Sequence, residues 1–308
     1  MRNMVSRLLL AGAATLALSS MAHAAFIIDD WTFDATAVGP EGLVGGTIGG
    51  EQQHIVMDIE QLTFLASFRS VTNDTNGNFI PDVGETFNVQ ANGTVTEFFS
   101  GGGGNVSPTL FNSTLTLPAD GGGTLDGWEL AFTFNVNGMF ISNDGVDANF
   151  VHIASPSPAL VFYLDNIAGG TGANTQTGAG VTDGTIVATF DLVVGDGGVF
   201  SFLTGDGSDD ATFVLTSNPF GAFKNGSGNP LAVGATLGLS DGNFDSDAGA
   251  GPFTSNFSAF TCGFSPVDFC GEEDGSFRLA IPEPTSVALI GLGLLGMAAS
   301  IRRRKSRV

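Results

Sequence analysis

The chain has 308 residues, of which 45 are glycine, 27 are phenylalanine and only 13% are charged. Its 31 acidic and 10 basic side chains give a formal charge of −21, which excludes a nucleic-acid-binding surface through long-range repulsion of phosphate. The many Phe, Val, Ile and Leu residues exclude an acidic disordered chain.

The first element is a secretory signal over residues 1–24. Arg2 and Arg7 form a positive n-region, Leu8 to Leu18 an apolar h-region, and Ala22-His23-Ala24 a small-x-small cleavage site. The mature chain then begins at Ala25 or Phe26. From there to residue 281 runs an acidic, glycine-rich body. It keeps three basic residues, Arg69, Lys224 and Arg278, and every acid except Glu283, for a formal charge of −27.

Period-2 alternation pervades this body and predicts strands with one buried face. In chain order they are Ile55–Ile59, Leu62–Phe68, Thr86–Phe99, Leu110–Leu117, Leu130–Asn137, Ala159–Leu164, Thr185–Val194, Val199–Leu203, Thr212–Thr216 and Ser276–Ala280. Asn92-Gly93 suits the type I′ turn of a hairpin between two alternating runs. Gly101–Gly104, Gly121–Gly123, Gly169-Gly170 and Gly205-Asp206-Gly207 mark loops. Short strands with glycine-rich turns predict an all-β, antiparallel β-sandwich, jelly-roll-like. The Gly/Thr-rich stretch 169–184 lacks a core pattern and reads as a mobile insertion or linker.

The sharpest chemical pattern is Asp74 to Glu85. Asp74, Asn76, Asn78, Asp82 and Glu85 fall at loop positions 1, 3, 5, 9 and 12, the ligand spacing of a calcium loop. Phe79 stands where the sharp turn favours glycine, and the other reading is a polar Asn/Asp/Gly turn. Asp241 to Asp247 repeats the alternating oxygens without a closing Glu, and Gly205 to Asp210 reads as a solvated loop tip. Cys262 and Cys270 are the only two cysteines, close together in an exported chain, and predict a local disulfide. Catalysis has little support. His54 and His152 each stand alone in an apolar run, with no nucleophile elbow and no His-x-x-x-His pair. No cofactor is expected beyond calcium.

The last element is the tail, residues 282–308. Pro282-Glu283-Pro284 precedes an uncharged stretch, Thr285 to Ile301, followed by Arg302-Arg303-Arg304-Lys305 in a basic cluster over 302–307. Seventeen helical residues span about 25 Å, enough for a short transmembrane helix and transient insertion in the inner membrane. The basic cluster stays cytoplasmic by the positive-inside rule.

In these three parts, in this order, the tail resembles that of bacterial PEP-CTERM proteins. The resemblance implies recognition and cutting near Pro282-Glu283-Pro284 by an exosortase-type membrane transpeptidase. Delivery to the cell surface or into exopolysaccharide follows from it. The segments TNDTNGNFIPDVGETF, DGWELAFTF and TCGFSPVDFCGEEDGSF also resemble the floc-forming subset of that family. The resulting expectation is a non-enzymatic matrix protein that works with extracellular polysaccharide in aggregation, flocculation or biofilm. The alternatives are a carbohydrate-binding module stacking sugars on Trp31 or Trp128 and a polysaccharide-modifying hydrolase.

Overall fold

The computed structural model describes residues 25–27, 30–39, 43–246, 253, 255 and 257–282. The signal peptide, Glu283, Pro284, the predicted span Thr285 to Ile301 and the cluster Arg302 to Lys305 lie outside the described residues.

Strands carry the fold, and all their ladders are antiparallel. In chain order they are β1 (Ala25–Ile27), β2 (Trp31–Asp34), β3 (Thr47–Ile48), β4 (Glu51–Gln52), β5 (Ile55–Ile59), β6 (Gln61–Thr72), β7 (Thr86–Phe99), β8 (Thr116–Pro118) and β9 (Thr124–Asp126). There follow β10 (Trp128–Asn143), β11 (Asp147–Ile153), β12 (Leu160–Asn166), β13 (Thr185–Val193), β14 (Gly197–Ser201), β15 (Asp206–Ser217), β16 (Phe223–Lys224), β17 (Thr236–Asp245) and β18 (Asp268–Pro282). Among the described residues, eleven of them join one sheet.

Contacts divide the chain into two units: Ile28–Leu279, and the chain ends up to Ile27 and from Ala280. Within the first unit the sheet closes on itself. Strand β6 pairs with β18 and β7, β7 with β10, and β15 with β17, which returns to β18. The gap between β10 and β15 is bridged twice. The first half of β10 pairs with β12, which leads through β13 to the second half of β15. The second half of β10 pairs with β11, which leads through β14 to the first half of β15. The antiparallel all-β expectation holds, with closure of one sheet as its means of removing edges.

Phenylalanine and glycine fill the ring together. At five cross-strand positions a Phe ring lies over the Gly directly opposite it: Phe132 and Gly93, Phe87 and Gly138, Phe68 and Gly271, Phe244 and Gly207, Phe150 and Gly198. In each pair the ring lies over the glycine, so an added Cβ would collide with it; at Gly271 it would sit 2.6 Å from Phe68 Cζ. Glycine here is a site of close approach, which offsets its weak intrinsic strand preference. The aromatic rings form two clusters, and Phe64, Phe132 and Phe277 pack on one another and extend the first through Phe162. One gathers Phe33, Phe98, Trp128, Phe162 and Phe223, partly from the small sheet β16-β2-β5. The other gathers Phe87, Phe140 and Phe150, and, on facing strands, Phe200, Phe244 and Phe269.

Several sequence expectations change. Asn92-Gly93 is not a hairpin turn: it lies midway along β7, because Gly93 is required under the Phe132 ring. Leu110–Leu117 is not a strand. Leu110 and Phe111 are both buried, the Phe111 N–H donates to Pro108 O in a turn, and regular pairing begins only at Thr116. Gly205 to Asp210 is not a loop tip, since Asp206–Asp210 open β15, and Asp241–Asp245 close β17. The stretch 169–184 is strapped to the sheet. Thr175 is buried and accepts from Ser67 Oγ, Val181 is fully buried, Gln176 Nε2 donates to Glu272, and the Ala173 N–H donates to buried Glu129.

Candidate functional site

The processing region begins where the described chain ends. Strand β1 pairs with the end of β18 in the register Ala25 to Pro282, Phe26 to Ile281 and Ile27 to Ala280. Ala25, an expected first residue after signal cleavage, therefore stands opposite the first residue of Pro282-Glu283-Pro284. Sequence periodicity cannot reveal this pairing, because three residues are too few to show alternation. No helix among the described residues is long and apolar enough to cross a membrane, and the predicted span lies beyond them.

Cys262 and Cys270 are joined in a disulfide with 5.6 Å between their Cα atoms. It closes a short turn onto the start of β18. Beside it, Arg69 on β6 grips Asp268 with a fork of two 2.9 Å hydrogen bonds from Nε and Nη2. The other basic residues of the body are also committed: Lys224 donates to Asp34, and Arg278 Nη2 donates to Gln61 Oε1 at 2.7 Å.

The Asp74–Glu85 loop closes on its own donors. Asp74 accepts from the Gly77 N–H at 2.7 Å and the Phe79 N–H at 2.8 Å, and the Phe79 contact leads in holding its carboxyl below the usual range. Glu85 is buried at the base, where Oε1 accepts from Thr75 N and Oγ1, and Oε2 from the Asp82 N–H. Asn76 and Asn78 direct their amide nitrogens to Asp82 Oδ2 at 2.6 and 2.8 Å, and their oxygens accept from the Asn78 and Ile80 N–H groups. Thus Asn76, Asn78 and Asp82 converge, while Asp74 and Glu85 face other donors. A cation among the converging groups would need the amides turned over, which would break both oxygen contacts. Among the described residues no group of three or more His, Cys, Asp or Glu side chains is placed to hold a metal ion. Phe79 adopts φ 61°, the left-handed turn for which the spacing wants glycine, and its side chain is 67% exposed.

The histidines and tryptophans lie in the core. His54 bridges two backbone carbonyls, Val44 at 2.7 Å and Asp126 at 2.6 Å. His152 Nε2 meets Asp209 Oδ1 at 2.8 Å. Its other nitrogen completes no hydrogen bond, although the Asn137 carbonyl is near enough to favour the charged ring. Ser70 and His152 line one cavity inside the strand ring, but no hydrogen bond links the hydroxyl to the imidazole, as a nucleophile and its base would require. Trp31 and Trp128 are both fully buried, so neither offers a stacking platform. The buried acids Glu129 and Glu273 escaped the sequence reading, because each sits in a run of mixed polarity that gives no sign of burial.

Residues 280–304 match the family model of the PEP-CTERM protein-sorting motif. No curated protein and no solved structure matches the chain. The motif implies export through the secretion pathway, sorting by exosortase, a membrane enzyme, and a surface or extracellular location after processing.

Proposed function

We propose that the body is a non-enzymatic surface or matrix protein that associates with exopolysaccharide and promotes cell aggregation, as in the floc-forming subset the sequence resembles. The observation that carries this reading is the sorting motif joined to an acidic, closed body. Its formal charge of −27 comes with all three basic side chains engaged by Asp34, Gln61 and Asp268. Such a surface repels anionic polymer directly, so attachment works through polar side chains or cations shared in solution with the polymer. The tryptophan-platform alternative loses its premise through the burial of Trp31 and Trp128.

Two measurements test the proposal together. Deleting the gene should abolish or weaken aggregation, with rescue by the full sequence and not by a chain lacking residues 285–308. Mature protein should co-sediment with the host's own exopolysaccharide. Unchanged aggregation together with no co-sedimentation would overturn it.

A further inference from the structure

The second aromatic cluster encloses a cavity of about 50 Å³ within the strand ring. Phe87, Phe150, Phe200, Phe244 and Phe269 supply most of its wall. Three ionisable side chains reach it from three different strands: His152 from β11, Asp209 from β15 and Glu273 from β18. His152 is 1% exposed and Glu273 is 4% exposed. Asp209 accepts from the imidazole, but Glu273 Oε1 has no hydrogen-bond partner.

This composition selects a class of ligand. Asp209 is matched by the imidazole, and Glu273 Oε1 still lacks a donor. Phenyl rings present the negative face of their quadrupole, which attracts cations. An anion would meet Asp209 and the phenyl faces, with the imidazole already taken up by Asp209. A neutral apolar molecule would leave Glu273 Oε1 without a donor, an outcome that buried polar groups avoid. A metal ion would find few oxygen ligands, since phenyl rings supply none and no set of three acidic, His or Cys groups is in place. An ammonium group satisfies all the demands: positive charge, several N–H donors and, on its alkyl carbon, a surface suited to phenyl rings. At roughly 10–15 Å³ per water-sized atom, the cavity takes about three or four non-hydrogen atoms.

We propose that this chamber binds a small primary alkylammonium ion, of the size of methylammonium or ethylammonium, with its N–H groups directed to Glu273 and Asp209. Burial pushes the Glu273 carboxyl well above its usual range, and Asp209 and Asp274 reinforce the shift. An ammonium ion, with N–H donors for Glu273 Oε1, would offset that burial cost. The cavity is only partly enclosed, which leaves its wall a route to solvent.

Thermal melts of the full chain with methylammonium or ethylammonium chloride, against equal potassium chloride, test the proposal. At about ten times Kd the melting temperature should rise by roughly 3–5 °C. Methanol and ethanol, which lack the charge, should leave it unchanged. Glu273→Gln keeps the shape of the side chain and removes the carboxyl group, so it should lose the amine-dependent shift, and its melt without amine reads whether the fold is kept. A second readout needs no variant: the methyl protons of bound methylammonium should show a saturable upfield ring-current shift and transferred Overhauser effects to phenyl protons. Absence of both wild-type signals at roughly 100 mM amine, enough to occupy even a weak site, would overturn it, as would an equal melting shift in Glu273→Gln.

Discussion

At the scale of single residues, two kinds of buried site govern the body. The first is the Phe–Gly pair. Gly93 lies opposite Phe132, and the ring occupies the place where a β-carbon would project. Gly93→Ala should therefore destabilise the body by about 1–3 kcal/mol through overpacking. Adding Phe132→Leu should recover part of that loss, so the double variant is less damaged than the two single effects together. Urea denaturation of the four proteins measures the coupling, and strict additivity would contradict the pairing. The second kind is the buried acid. Burial pushes the Glu129 carboxyl up to about 7; the Ala173 N–H pulls it down, and Asp165 and Asp183 add repulsion that raises it. A raised folded pKa means that the folded state holds the proton more tightly than the unfolded chain. The associated stability is complete below the ordinary value of 4.5 and is lost as pH rises through about 7. His152, also raised despite burial, acts in the same direction above its ordinary 6.5. Melting temperature should thus fall between pH 5 and pH 8, and Glu129→Gln should flatten the fall without removing it. An identical pH slope in wild type and Glu129→Gln would show that Glu129 ionises freely.

At the scale of elements, legibility followed burial on one face. Strand β10 was plain in the sequence because Leu130, Phe132, Phe134 and Val136 alternate with smaller or polar residues, and all four are buried. The opening half of β15 and all of β17 were hidden, because their Asp and Gly residues carry the signature of turns while the ladder holds them extended. Asp209 illustrates the physical reason: a carboxylate can point inward when a buried imidazole meets it. The Asp74–Glu85 loop was legible as a compact oxygen-rich turn, but spacing alone does not say which way each side chain points. With Glu85 bound to Thr75 and to the Asp82 N–H, Glu85→Ala should lower stability by about 1–3 kcal/mol, the cost of leaving buried donors unmet. We propose that the hydrogen bonds within the loop suffice to close it, so the protein's melting temperature should be the same in millimolar calcium and in chelator. A calcium-dependent rise that Asp82→Ala abolishes would reverse that conclusion. The Cys262–Cys270 bond closes a short loop, worth about 2–3 kcal/mol in the chain-entropy model. Reduction should lower the melting temperature and expose two thiols to alkylation, and free thiols in unreduced exported protein would contradict the bond.

At the scale of the whole molecule, charge and sorting belong together. The body is strongly acidic, and the five basic residues after Ile301 stand apart from it. That division suits a tail whose inner end stays on the cytoplasmic side while the body crosses. The body at −27 is kept in solution by its own repulsion and needs no permanent anchor. Ala25 pairs with Pro282, so cuts at the two ends of the body would release termini that lie side by side in one ladder. The sorting module was legible because its three parts are contiguous and differ sharply in polarity; the interior cavity was not, because its walls come from strands far apart in sequence. The most direct test is the intact mass of protein recovered from the cell surface and the medium. The account predicts a chain that begins at Ala25 or Phe26, ends between Ile281 and Pro284, and keeps the disulfide. A mature envelope protein that still carries residues 285–308 would contradict it, and the tail would then be an anchor.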